Sequence, residues 1–142
     1  MITKTASAKW QGTIKEGKGS ISTESNAFQD QPYGFNTRFE DKAGTNPEEL
    51  IAAAHASCFT MALSKELGDR DIHPEHLETK ASITMEKDDS GFTITKSHLV
   101  LEAKLPGADE DTFNEAAESA KKNCPISKLL NADITLESRL EN

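Results

Sequence analysis

Residues 46–68 read NPEELIAAAHASCFTMALSKELG, and they carry a strong helix signal. Asn46 is a favoured N-cap residue, Pro47 suits the first helical position, and Glu49 lies where a capping box needs an acidic side chain. Most of the segment after this start is apolar or small, and Gly68 marks its end. A helix that is apolar on nearly every side is a buried helix, so we predict one at the centre of the fold.

The composition limits what can cover that helix. The chain has 142 residues, which is enough for one domain, but only 35% are hydrophobic and the mean hydropathy is −0.60. Charge is spread along the chain without repeats or linker-like stretches, so we predict a single domain over residues 1–142. Because so small a fraction of the chain is apolar, the buried helix must be covered by sheet or by a second copy of the chain.

The charge balance excludes several classes of partner. There are 16 lysines and arginines against 24 aspartates and glutamates, which gives a formal net charge of −8. An acidic chain lacks the basic surface that neutralises phosphates, so we predict neither a nucleic acid nor an anionic membrane as partner. No apolar run approaches the roughly 20 residues that span a bilayer, and the first residues carry no secretory hydrophobic region. We therefore expect a cytoplasmic protein.

The remaining elements predict an α+β fold. We predict a strand over residues 32–40, because every second residue lies along one side and Arg38 lies on the other. The alternating residues are Tyr33, Phe35, Thr37 and Phe39. The other predicted elements are strands over 5–11 and 18–23, a hairpin of strands 77–88 and 91–105, helices over 110–122 and 125–130, and a last strand over 132–140. This order is typical of an α+β fold with mostly antiparallel sheet.

The two cysteines, Cys58 and Cys124, are the first candidates for chemistry. Two thiols in a reducing cytosol are not expected to form a structural disulfide. Cys58 lies in the predicted buried helix, where a small core residue is the plain alternative to a reactive thiol. Cys124 ends the apolar stripe of the second helix and directly precedes Pro125, where the N–H groups of a new helix favour a thiolate. If the two thiols meet, dithiol redox chemistry becomes the leading hypothesis.

His55 lies three residues before Cys58, so the two side chains are neighbours on the helix. A Cys–His nucleophile pair and half of a metal site would both use this spacing. A metal site would need further ligands, and the nearest other histidines lie in a polar loop. We therefore predict no metal and no cofactor, and we expect His55 to be buried and hydrogen-bonded to a backbone carbonyl.

Arg38 and Glu49 both have simple structural explanations. An arginine on a strand is usually solvated, and Glu49 can serve the helix cap. Nine residues separate Glu49 from Cys58, which is about 13 Å along a helix axis and half a turn around it. These two side chains therefore cannot share one site within one straight helix.

Three strings in the chain resemble one protein family. They are QPYGFNTRF at 31–39, GTNPEELIAAAHASCF at 44–59 and NCPIS at 123–127. The resemblance is to the OsmC/Ohr family of osmotically inducible proteins and organic hydroperoxide resistance proteins, and it runs essentially end to end. The first string is similar to the osmotically inducible branch, because the arginine of the sister branch lies nearer the N-terminus.

The resemblance implies a thiol-dependent peroxidase that reduces organic hydroperoxides and, less well, hydrogen peroxide in oxidative and osmotic stress defence. On this chain it makes Cys58 the peroxidatic thiolate and Cys124 the resolving thiol, which together form a disulfide. It also implies that Arg38 stabilises the thiolate and orients the peroxide, and that Glu49 fixes Arg38. An external dithiol, such as a lipoyl protein, or a small thiol would reduce the disulfide.

The family fold implied by the resemblance is an intertwined homodimer, with antiparallel sheets wrapped around two central helices. Since Glu49 cannot reach Cys58 of its own helix, our hypothesis is that Glu49 and Arg38 serve Cys58 of the partner chain. Two other functions stay open. One is a non-catalytic dimeric module that binds a fatty or aromatic ligand, and the other is a Cys–His hydrolase that uses His55.

Overall fold

The computed structural model describes all residues from 1 to 142 and divides them into two compact units, residues 1–50 and 51–142. The single domain predicted from the sequence stays a prediction. The first unit contains an antiparallel sheet of three strands, in the order β1 (Ala6–Gln11), β2 (Lys18–Thr23) and β3 (Gln31–Tyr33). Helix α1 (Phe35–Phe39) follows, and helix α2 (Pro47–Gly68) begins in this unit and continues into the second.

The predicted strand over residues 32–40 is wrong, because only its first two residues belong to β3 and helix α1 replaces most of the rest. The Thr37 hydroxyl fixes the turn into this helix. It accepts a hydrogen bond from the Gly34 N–H at 3.0 Å and donates one to the Gly34 carbonyl at 3.1 Å. Phe35 and Phe39 become i, i+4 neighbours, with ring centroids 5.1 Å apart. The spacing of these rings fits a strand and a helix equally, and the local hydrogen bonds of Thr37 favour the helix.

Helix α2 begins and ends as predicted. The Asn46 Oδ1 atom accepts a hydrogen bond from the Glu49 N–H at 2.8 Å, which caps the first turn. The last helical residue is the predicted glycine. Beyond it, Asp71 adopts a left-handed conformation with a φ of 57°, and the Ile72 N–H donates to the Leu67 carbonyl at 2.9 Å. The chain therefore turns away from the helix directly after its end.

Only one side of helix α2 is buried within the single chain. His55, Phe59, Leu63 and Leu67 recur every four residues and form the buried stripe. Met61, on another side of the helix, is 77% exposed. The helix predicted to be buried on nearly every side is therefore buried on one side within one chain, and an apolar face is left uncovered.

The second unit adds a three-stranded sheet and two more helices. Strands β4 (His76–Asp88) and β5 (Gly91–Lys104) form the predicted hairpin, and β6 (Asp133–Glu141) pairs in parallel with the other edge of β5. Helices α3 (Glu110–Asn123) and α4 (Pro125–Leu129) form the crossover that a parallel pair requires. The sequence predicted all five of these elements to within one residue at each end.

The core of the second unit brings α2, α3 and β5 together. One buried cluster contains side chains from all three elements: Leu63 from α2, Leu99 and Leu101 from β5, and Phe113 and Ala117 from α3.

The α+β class with mainly antiparallel sheet is confirmed. No helix of the structure is long and apolar enough to cross a membrane. The intertwined homodimer stays a prediction.

Candidate active site

The two cysteines line one cleft in the second unit. Cys58 lies on α2, and Cys124 is the N-cap residue of α4, directly after α3. Both are free thiols, and the cleft has a volume of about 480 Å³. Its lining residues are Cys58, Met61, Ala62, Lys65, Glu66, Ala120, Asn123, Cys124 and Pro125. The tertiary structure thus brings together two thiols that lie on separate helices.

Cys58 is half-buried, and its surroundings in this unit oppose ionisation. Burial raises the pKa of the Cys58 thiol, because the thiolate loses hydration. A hydrogen bond from the backbone N–H of Ile126 lowers this pKa, whereas the hydrogen bond with Cys124 and the charge of Cys124 raise it. The net direction is upward, so these neighbours leave Cys58 mainly as a thiol at neutral pH. A reactive Cys58 therefore requires a cation.

Cys124 is buried and held at the start of α4. Its Sγ atom accepts a hydrogen bond from the Ser127 N–H at 3.4 Å and lies 3.1 Å from the Ser127 Oγ atom. Pro125 occupies the first turn of α4, as predicted. The Cys124 side chain therefore has fixed polar partners, which an ordinary core thiol does not need.

His55 lies in a buried polar cluster rather than against a backbone carbonyl, so that expectation is wrong. Its Nε2 atom is 2.8 Å from the Ser127 Oγ, and its Nδ1 atom is 2.6 Å from the Ser97 Oγ. Burial lowers the pKa of His55, which favours a neutral imidazole. Because both ring nitrogens have serine partners, neither is directed at Cys58 as a Cys–His nucleophile pair would require. No group of three or more His, Cys, Asp or Glu side chains is placed to hold a metal ion.

Arg38, on α1 in the first unit, is held by Glu48 instead of Glu49. Its Nε atom donates to both Glu48 carboxylate oxygens at 3.0 and 3.1 Å, and its Nη2 atom donates to Oε1 at 2.7 Å. Successive residues of a helix point about 100° apart, so only one of the two glutamates can face Arg38. The expected pairing of Arg38 with Glu49 is therefore corrected within the chain. Glu49 contributes its N–H to the helix cap.

Several residues of the cleft were not among those predicted from the sequence. Lys65 follows Cys58 by seven residues, which is about two helical turns, so this spacing already places the two on one face. The Lys65 ammonium donates to Asp69 at 2.8 Å. The neighbouring Glu66 accepts hydrogen bonds from Arg70 at 2.8 Å and from the Ser119 hydroxyl at 2.9 Å. Periodicity could have located Lys65 and Glu66, whereas the contact with Ser119 depends on the packing of α3.

Comparison with known proteins decides the family. Residues 39–139 match the family model described as OsmC-like protein. The chain belongs to the OsmC family. It is 51% identical to peroxiredoxin OsmC of Escherichia coli over 141 residues, which covers 99% of each chain. It is 34% identical to organic hydroperoxide resistance protein OhrB of Bacillus subtilis over 105 residues, covering 72% of this chain and 75% of that protein.

Solved structures agree with the OsmC assignment. The crystal structure of OhrB from Bacillus subtilis matches with a TM-score of 0.69 at 28% identity, covering 95% of this chain and 98% of that one. An OsmC-like protein of unknown function from Vibrio cholerae shares the fold alone, with a TM-score of 0.79 at 16% identity and coverage of 98% and 100%. The resemblance read from the three sequence strings is confirmed. The named OsmC and Ohr relatives support a peroxidase-type redox role for this chain.

Proposed function

We propose that this chain reduces organic hydroperoxides, and hydrogen peroxide less well, with Cys58 as the peroxidatic and Cys124 as the resolving cysteine. The observation that carries the proposal is that the two free thiols line one cleft and interact there. Membership of the OsmC family supports the same class of reaction. Oxidative and osmotic stress defence is the setting in which such an activity is useful.

The proposed cycle has an oxidation step, a disulfide-forming step and a reduction step. The Cys58 thiolate attacks one peroxide oxygen, the O–O bond breaks, and the departing alkoxide takes up a proton to become the alcohol. Cys58 is left as a sulfenic acid. The Cys124 sulfur then forms an S–S bond with Cys58 while the S–O bond breaks, and the departing hydroxide becomes water. An external dithiol, such as a lipoyl protein, or a small thiol reduces the disulfide and restores both thiols.

The walls of the cleft support an organic substrate. Apolar side chains from Met61, Ala62, Ala120 and Pro125 lie beside the two thiols. A volume of about 480 Å³ is within the range of small-molecule sites, and it exceeds what hydrogen peroxide alone would fill. An alkyl or aryl tail would bury apolar surface here, which hydrogen peroxide cannot do.

Arg38 and Glu49 complete the proposed site across a homodimer. Cys58 needs a cation, and the arginine guanidinium stays charged under any degree of burial. The half-turn offset on α2 keeps Glu49 away from Cys58 of its own chain. A second copy of the chain could bury the exposed apolar face of α2 that carries Met61. We therefore assign Arg38, oriented by Glu48, and Glu49 to Cys58 of the partner chain.

A thiol titration tests the proposed function. We expect the reduced protein, denatured before titration, to show two thiols per chain, and protein first treated with one equivalent of cumene hydroperoxide to show neither. Mass spectrometry of the unreduced protein should find Cys58 and Cys124 linked within one chain. A non-catalytic module that only binds a fatty or aromatic ligand would keep both thiols. That outcome would refute the redox cycle and favour the binding function.

Replacing Cys124 with serine should separate the two halves of the cycle. We expect Cys124→Ser to consume a first equivalent of hydroperoxide at the wild-type rate and then to lose catalytic turnover, because no second thiol can close the disulfide. With excess peroxide its Cys58 should accumulate as sulfinic acid, seen by mass spectrometry as a gain of two oxygens. Sustained turnover at the wild-type rate would remove the resolving role from Cys124.

A further inference from the structure

A chain of buried polar side chains runs from the resolving cysteine into the core. The Cys124 Sγ lies 3.1 Å from the Ser127 Oγ, which lies 2.8 Å from Nε2 of His55. Nδ1 of His55 lies 2.6 Å from the Ser97 Oγ. All four residues are buried, and they come from three elements: His55 from α2, Ser97 from β5, and the other two from α4 and its N-cap. We call Ser97, His55 and Ser127 the serine–histidine relay.

A purely structural role does not explain why these buried hydrogen bonds lead to Cys124. Buried polar groups cost free energy unless they are hydrogen-bonded, and three apolar residues of similar volume would fill this space without that cost. His55 is also the polar member at the start of the buried stripe of α2, which otherwise consists of phenylalanine and leucine. The relay connects His55 through one hydroxyl to Cys124, a residue that must lose a proton in the proposed cycle.

The protons of the relay can be arranged in one consistent direction. A neutral imidazole has one N–H and one lone pair. If Nδ1 carries the proton, it donates to Ser97, and Nε2 accepts from the Ser127 hydroxyl. The Ser127 oxygen is then free to accept the thiol proton of Cys124. This arrangement draws the S–H bond towards Ser127. One sulfur lone pair accepts from the Ser127 N–H, and the other is left for bond formation.

We propose that Ser127 is a catalytic residue of the disulfide-forming step and that His55 is the positioning residue and proton acceptor behind it. This inference rests on the proposed peroxidase function. As Cys124 attacks, its thiol proton passes to the Ser127 oxygen while the Ser127 hydroxyl proton passes to Nε2 of His55. The S–S bond forms, the S–O bond of Cys58 sulfenic acid breaks, and the hydroxide that leaves takes back the proton from Nε2 of His55, passed through Ser127, to become water. Over the whole step His55 returns to its neutral form.

The burial of Cys124 explains why an internal acceptor is needed. Only 1% of Cys124 is exposed, so solvent hydroxide has little access to its thiol. Burial lowers the pKa of His55, so its imidazole is neutral and has a lone pair available at neutral pH. The acceptor therefore lies inside the core, one hydroxyl away from the sulfur that reacts.

Single-turnover kinetics test the relay, because they measure disulfide formation separately from the attack of Cys58 on the peroxide. The peroxidatic step is followed as hydroperoxide loss, and the second step as disulfide formation in acid-quenched samples. We expect Ser127→Ala to leave the first step unchanged and to slow disulfide formation by about 100-fold, a typical loss for proton-transfer catalysis. Slower resolution should also increase the sulfinic form of Cys58 at high peroxide. Equal rates of disulfide formation in Ser127→Ala and wild type would overturn the proposal while leaving the peroxidase function intact.

His55→Gln distinguishes proton acceptance from simple positioning. An amide oxygen can accept a hydrogen bond from Ser127 but cannot take its proton, so we expect disulfide formation in this variant to be slowed as well. The matched control is His98→Gln, because His98 also bonds a hydroxyl, that of Thr135 at 2.6 Å, outside the cleft. This control should keep wild-type rates. A wild-type rate of disulfide formation in His55→Gln would overturn the acceptor role.

Nitrogen NMR of the reduced wild-type protein gives an independent readout that does not depend on folding of a variant. We expect His55 to be protonated at Nδ1 and unprotonated at Nε2. The opposite tautomer would reverse the direction of the relay and contradict the proposal. If the wild-type protein consumes no hydroperoxide at all, the proposed function and the relay fall together, and this result is distinct from a failure of the relay alone.

Discussion

Cys58→Ser should abolish hydroperoxide turnover, which is the largest single effect that we expect. A serine hydroxyl is almost never ionised at neutral pH, so the nucleophile of the first step is lost. Cys58 is only half-buried and serine is of nearly the same size, so the fold should be unchanged. The measurement is the consumption of cumene hydroperoxide with a dithiol as reductant, together with circular dichroism to check folding.

A neighbouring position provides the control for this variant. Ser57 is exposed, and its hydroxyl donates to the Ala54 carbonyl of the same helix at 3.1 Å. Ser57→Ala should therefore keep full turnover. Residual catalytic turnover in Cys58→Ser above the rate of the uncatalysed reaction would assign the nucleophile to another residue, with Cys124 as the first to examine.

Arg38→Ala should slow the attack of Cys58 on the peroxide by about 100-fold, the usual loss when one group that stabilises a developing negative charge is removed. Arg38 is held firmly by Glu48 through two nitrogen donors, so its position is defined before substrate binds. Arg38→Lys should recover part of the rate, since it keeps the charge but loses the planar fork of donors. The control is Arg139→Ala, because Arg139 also pairs with a glutamate, Glu102, but on strands β5 and β6.

The pH dependence of the first step tests whether Arg38 acts by lowering the pKa of Cys58. Burial already raises the pKa of Cys58, and the proposed guanidinium lowers it by favouring the thiolate. Removal of Arg38 should therefore raise this pKa, and the rising limb of the pH–rate profile should move to higher pH. The rate deficit of Arg38→Ala should shrink as the pH rises, because more thiolate forms without help. An unchanged profile would show that Arg38 does not act on the ionisation of Cys58.

Mixed dimers can show which chain supplies the cation. We expect the Cys58→Ser dimer and the Arg38→Ala dimer each to be nearly inactive. A mixed dimer, with one Cys58→Ser chain and one Arg38→Ala chain, should have about half of the activity of a wild-type dimer. In that mixture the intact Cys58 of one chain meets the intact Arg38 of the other. Mixed dimers without activity would place Arg38 and Cys58 of one site on the same chain. A monomeric protein in light scattering would remove the assignment across the dimer altogether.

Most of the helical and strand framework could be predicted because its signals are local. Asn46 and Pro47 mark the start of α2, and Pro125 opens α4, each through a contact within a few residues. The exception is residues 32–40, where the aromatic spacing fits two periods. There the side chain of Thr37, through hydrogen bonds to Gly34, resolves the ambiguity in favour of a helix.

Local sequence signals did not predict which residues come together at the site. Residue types and motif resemblance alone singled out Cys58 and Cys124 as candidates, but their meeting in one cleft depends on the packing of α2 against α3 and α4. The choice of Glu48 as the partner of Arg38 depends on the direction of a side chain at a helix start. The partners of His55 come from residues 97 and 127, which no periodicity links to it. Caps and turns act over a few residues and can be read in order along the chain, whereas a site joins residues that only the packed core brings within hydrogen-bonding distance.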